Sequence, residues 1–173
     1  MLERFIEAMP FSESVARLRV GFHETIQGEQ KGLVERHHEL AGPFSFHFDA
    51  ISLDWPSYLD VFEPSWLTHR MEGTVRAPGL ASTADMAGTL SVRFLRRRTY
   101  YDFAFTGEGS VSLRFTGWRA PGPTWLLPKG SVPVHGHVEL VESGQILAQV
   151  EARVVRAGLL SPRSRPFKLD QDT

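Results

Sequence analysis

Cysteine is absent from all 173 residues, which removes disulfide frameworks, thiolate zinc sites, iron–sulfur ligation and cysteine nucleophiles at once. A reducing compartment fits that absence. Net charge is almost absent as well: 19 Lys and Arg stand against 20 Asp and Glu, a formal −1, and the isoelectric point is near 6.7. Without a global field of either sign, nothing gathers nucleic acid or an acidic lipid surface. Lysine is scarce beside arginine, 3 to 16, a ratio that reads as the coding bias of a GC-rich genome rather than as a set of phosphate clamps. Long apolar runs are missing too. No stretch approaches the ~20 apolar residues of a membrane span, and the start, MLERFIEAMPF, carries Glu3, Glu7 and Pro10 where a signal peptide has its apolar core. These absences predict a soluble, cytoplasmic protein without a nucleic-acid partner, one domain burying on the order of two thirds of its unfolded surface.

Helical periodicity is confined to the first 18 residues. Leu2, Phe5, Ile6 and Met9 fall at helical spacing before Pro10 stops them, which predicts a short amphipathic N-terminal helical arm over 1–18, packed on the end of the protein's own core. From residue 19 the period is two, and it is plainest over 71–119. The expected inward faces carry Phe22, Glu24 and Ile26; Phe44, Phe46 and Phe48; His69, Met71, Gly73 and Val75; and Met86, Gly88, Leu90, Val92 and Phe94. They continue with Tyr101, Phe103 and Phe105; Val111, Leu113, Phe115 and Gly117; Val134, Gly136 and Val138; and Ile146, Ala148, Val150, Ala152 and Val154. Gly28 and Gly32 read as the break that ends the first run, and Ala50 as a bulge after which Ile51, Leu53 and Trp55 take the apolar side. Arg96, Arg97 and Arg98 mark a solvated hairpin tip. Trp125, Leu126 and Leu127 tip a proline-rich loop over 121–130.

The fold class that follows is all-β: a single antiparallel up-and-down barrel of about eight or nine strands over 19–169, lipocalin-like, with a frayed tail at 170–173. A barrel of about eight strands holds either packed side chains or one small ligand. Inward glycines at Gly73, Gly88, Gly117 and Gly136 then relieve strong coiling or leave room for a guest.

Several short motifs carry a resemblance. GFHETIQG at 21–28, the aromatic run to Leu53 and Asp54, His69-x-x-x-Gly73-Thr74-Val75 followed by Pro78, Arg98-x-x-Tyr101-x-Phe103-x-Phe105, and Leu113-x-Phe115-x-Gly117 resemble a β-rich accessory domain. That domain is fused to, or encoded beside, bacterial flavin oxidoreductases of the glucose-methanol-choline type, including cholesterol-oxidase-like proteins. The resemblance spans 20–169. It implies a lipocalin-like barrel associated with lipid, sterol or secondary-metabolite oxidation and a flavin oxidoreductase as working partner, and it supplies no catalytic residue and no cofactor.

Candidate sites follow from polarity on the wrong face. Glu24 and His69 are ionisable residues at inward positions, with Tyr101 as a third polar tip. A buried carboxylate needs a partner, and two pairings are open: Glu24 with His69 as an acid–base dyad, or Glu24 with Tyr101. The ligand wall would be Phe22, Phe46, Phe48, Met71, Met86, Phe94, Phe103, Phe105 and Phe115. His135, Gly136, His137, Val138 and Glu139 place three possible metal ligands on one face, but Val134, Val138 and Leu140 claim the other face for the core, so no metal is expected. The leading expectation is the binding of an apolar small molecule, a lipid, sterol or polyketide-like metabolite, in the barrel. A metal-free isomerase or cyclase using Glu24, His69 or Tyr101 is the alternative, and a filled docking module the third.

Overall fold

The computed structural model describes residues 21–33, 40–52, 67–93, 96–120 and 132–159. Eight strands make up most of them: β1 Gly21–Gly32, β2 Gly42–Ser52, β3 Thr68–Ala77, β4 Ala81–Arg93, β5 Arg98–Thr106, β6 Ser112–Arg119, β7 Pro133–Leu140 and β8 Ile146–Leu159. Each pairs antiparallel with the next, and β1 also pairs with β8, so the sheet closes on itself. The protein is an all-β, closed, eight-stranded antiparallel barrel. Closure pairs the outer edges that an open sheet of this length would expose. Among the described residues no helix is long and apolar enough to cross a membrane. The expected arm at 1–18, Phe94, the loop tip at Trp125, Leu126 and Leu127, and the tail at 170–173 lie outside the described residues.

The period-two pattern becomes wall and core as the pleat requires. Phe44, Phe46, Phe48 and Ala50 point inward on β2, while His69, Met71, Val75 and Ala77 do so on β3. Four expectations need correction. Ala50 keeps the inward phase and Ser52 follows it, both buried, so β2 does not slip; the small Ala50 side chain stands beside Met71, which takes the space. The register shifts instead at Thr25/Ile26, Val75/Ala77 and Val138/Glu139. Gly28 does not end β1, which runs to Gly32. Val111 and Ile146 are exposed: Val111 precedes β6, and Ile146 pairs with Glu139 beyond the register shift at Val138/Glu139, which takes it out of the inward phase.

The inward glycines have a steric reason. A Cβ on Gly73 or Gly88 would run into the neighbouring strand's backbone, at His47 or Asp102 respectively. A Cβ on Gly117 or Gly136, which face each other across β6 and β7, would come within 2.6 Å of the Phe115 ring. The guest those two glycines make room for is the protein's own phenylalanine.

The two rims differ. At the lower rim the connections are 33–41, 78–80, 107–111 and 141–145; at the upper rim they are 53–67, 94–97 and 120–132, and both terminal segments also attach there. Gln30 ties the lower rim together: its Nε2 donates to the carbonyls of Leu40 and Pro78, both at 2.6 Å.

Gly88→Ala should therefore destabilise the barrel by about 3 kcal/mol or more, as overpacking against backbone that cannot yield. Gly109→Asn, at a turn position with φ 70° and open space around it, should cost under about 1 kcal/mol, since asparagine tolerates that conformation. Urea midpoints of the two variants test the contrast; equal losses would contradict it.

Candidate functional site

Rings fill the barrel as a continuous column. Phe115 stacks on Phe103 at 4.9 Å and on Phe44 at 5.4 Å. Phe46 lies tilted against Phe103 and Phe115 and stacks on Phe48 at 5.9 Å. Phe22 caps the column, edge-on to Phe48 and, at 5.2 Å, to His69. Phe44, Phe46, Phe48, Phe103 and Phe115 are at most 1% exposed, so no water-sized sphere finds room among them. Each such aromatic pair contributes about 0.5–1.5 kcal/mol beyond its burial. The residues expected to line a cavity thus pack on one another: Phe22, Phe46, Phe48, Met71, Met86, Phe103, Phe105 and Phe115 are all buried.

Above this column the interior turns polar. The buried polar or charged side chains among the described residues are Glu24, Gln30, Ser52, His69, Thr99 and Arg119, and all but Gln30 lie toward the upper rim. Tyr101 joins them. Its hydroxyl donates to Glu24 Oε2 at 2.9 Å and accepts from Arg119 Nε at 2.6 Å. Arg119 Nη2 meets Glu24 Oε1 at 3.1 Å, and Nη1 donates to the Ala120 carbonyl. Glu24 on β1, Tyr101 on β5 and Arg119 on β6 therefore form a closed triangle that spans the lumen. The edges of Phe46 and Phe48 fix the Tyr101 ring from the side.

The triangle is neutral as a unit. Burial, then the Glu24 carboxylate, pushes the Tyr101 phenol well above its ordinary range. Burial alone would lower Arg119, but Tyr101 and Glu24 outweigh it and raise the guanidinium further. The phenol therefore keeps its proton and the guanidinium its charge. His69 is moved the other way, held below its ordinary value by burial against the opposing pull of backbone hydrogen bonds at Leu90 and Leu67.

Of the three residues expected to carry chemistry, Glu24 and Tyr101 meet directly. His69 sits at the same rim but does not supply the partners the structure gives Glu24 in the triangle, which are Tyr101 and Arg119; the Glu24–His69 dyad gives way to them because a carboxylate buried this deeply gains more from a cation. Arg119 was not anticipated. It lies one alternation step beyond Leu113, Phe115 and Gly117, so the inward phase pointed to it, but an arginine at a strand end reads as solvated. Thr99 escaped notice for the same reason. Its hydroxyl is buried and finds no hydrogen-bond partner among the described residues.

The His135, His137 and Glu139 face is the outer one, since Val134 and Val138 are fully buried. His135 lies against Trp118 at 5.2 Å, and Arg98, at the expected solvated tip, lies over the other side chain of that pair, 4.0 Å from the Trp118 ring. His137 and Glu139 approach to 3.6 Å. Among the described residues no three His, Asp or Glu side chains gather as a metal site would require.

Compared with known protein families, with curated proteins and with solved structures, the chain finds no match in any of the three.

Two outcomes test this geometry. Arg119→Met alone should cost about 3–5 kcal/mol, because it strands a buried carboxylate, whereas Glu24→Leu with Arg119→Met should recover most of that loss; a double-mutant cycle by urea unfolding reads the coupling. His69, depressed in the folded state, takes up protons less readily than in the unfolded chain, so its contribution is complete above about pH 6.5 and is lost as pH falls through its lower folded value. His69→Leu should flatten the stability profile in that window, and an unchanged profile would contradict the burial of a neutral imidazole.

Proposed function

We propose that this protein is a non-catalytic binding barrel that takes an apolar small molecule at its upper rim, on top of the aromatic column rather than through its middle. One observation carries the reading: polar side chains gather beneath the rim where the 53–67 and 120–132 connections and both terminal segments attach, directly above an apolar floor. Apolar rings with a few convergent polar groups beside them have the composition of small-molecule sites. Phe22 is the floor's top ring and, at 7%, the most exposed member of the column.

The triangle argues against catalysis. Both Glu24 oxygens accept hydrogen bonds, and burial pushes the Tyr101 phenol well above its ordinary range, so the phenol is no base near neutral pH. The lipocalin-like character of the barrel belongs to this reading. A flavin oxidoreductase as working partner rests on the short motifs quoted from the sequence.

Native mass spectrometry of protein isolated from its own host should show a bound apolar species that organic solvent extracts. Adding that extract back should shift the NMR signals of Phe22 and His69 and leave those of Phe103 and Phe115 nearly unmoved. An apo mass alone, with no shift at Phe22 on addition of the host's lipid extract, would sink the reading.

A further inference from the structure

Among the described residues four large apolar side chains stand in water: Leu33, Val111, Val141 and Ile146, from 39% to 51% exposed. Exposed apolar residues scattered singly need no explanation. These four are not scattered. Val111 leads into β6, where the Ser112 carbonyl accepts from the Val141 N–H. Val141 opens the turn after which β8 begins at Ile146, and the Leu147 carbonyl beside it accepts from the Leu33 N–H. The backbone thus strings all four along one arc of the lower rim, across the ends of β6, β7, β8 and β1. The turns at 107–111 and 141–145 are described throughout. A contiguous apolar arc of this kind marks a surface that another molecule covers. Strand addition is closed to that molecule, since every strand of the barrel already has both its neighbours, so the contact is made by side chains.

The charges beside the arc select the partner. Glu108 stands at the Val111 end and Lys31 just before Leu33 at the other, both exposed. Neither has a salt bridge among the described residues. The arc is therefore acidic at its β6 end and basic at its β1 end. A two-fold axis through its middle, at the 141–145 turn, exchanges those ends. It lays apolar side chains on apolar side chains and sets Lys31 of each copy against Glu108 of the other. An isologous contact closes at two subunits. Glu142 alone works against it, because it lies near the axis and faces its own counterpart.

We propose that the lower rim is an interface between two copies of this chain related by a two-fold axis, with Val111, Val141, Ile146 and Leu33 at its centre and two Lys31–Glu108 pairs at its edge. The dimer is independent of the small-molecule reading, and it leaves both upper rims facing outward.

Sedimentation velocity of the full-length chain, from about 10 µM to about 1 mM, the span in which an interface of modest area assembles, should show monomer giving way to dimer and nothing larger. Val141→Asp should abolish the dimer without lowering the melting temperature of the dilute protein, because Val141 lies outside the core. Lys31→Glu and Glu108→Lys should each weaken self-association about tenfold or more, since like charges then face each other. Mixed in equal amounts, those two variants should recover the dimer, because each meets its opposite at both edge contacts. Glu142→Gln should tighten the dimer. A chain that stays monomeric to the highest concentration, oligomers that grow past two, or a mixture no more associated than its components would overturn the proposal. So would a monomer that floats with phosphatidylcholine vesicles and loses them on Val141→Asp, which would give the rim to a lipid surface instead.

Discussion

A carboxylate placed inside a barrel full of rings is the constraint to which the upper half of this structure answers. Glu24 has no exposure to water, and at the low dielectric of such an interior a lone charge is not tolerated. Arg119 neutralises it, and Tyr101 bonds to both. Tyr101 and Arg119 sit on the neighbouring strands β5 and β6, and Glu24 on β1, which pairs with neither of them. Their bonds therefore work as a crossbar that the strand ladder alone does not provide. Because the phenol must reach the carboxylate, the Tyr101 ring is set in depth, and Phe46 and Phe48 pack against it edge-on.

Below the crossbar the barrel is governed by volume. Eight strands enclose just enough space for side chains to fill, and here phenylalanine fills it. The column works only where the wall gives way. Gly117 and Gly136 withdraw to admit Phe115, while Gly73 and Gly88 let adjacent backbones approach more closely than any side chain allows. The same glycines explain why a hollow lipid-carrying lumen is not the reading this core favours. The space was emptied for an internal ring, and the polarity that a ligand could use lies one layer higher.

Much of this was legible in the residues. Strict alternation over 71–119, short turns and the lack of long helical periods were enough for an antiparallel barrel, since a side chain's face follows from its parity along a strand. Glu24, His69 and Tyr101 could be placed inside for the same reason. What alternation does not convey is where it should stop. Counting it too early put Val111 inside, an unseen register shift did the same for Ile146, and abandoning it too soon left out Ser52 and Arg119. At strand ends the prior that charged residues are solvated overrode a parity that still held. Pairing was beyond reach as well: whether Glu24 meets His69 or Arg119 depends on which strands face each other across the lumen, and that is set only once the sheet closes.

A single cluster of Glu24, Tyr101 and Arg119 holds the filled core to the polar rim. Arginine side-chain NMR addresses it directly, because each of the 16 arginines carries one Nε–H whose exchange with water reports its surroundings. One Nε–H signal should persist at alkaline pH, show a nuclear Overhauser contact to the Tyr101 ring and shift when Tyr101 is replaced by phenylalanine. Sixteen signals that exchange alike, with none in contact with Tyr101, would contradict the cluster and the reading of the rim built upon it.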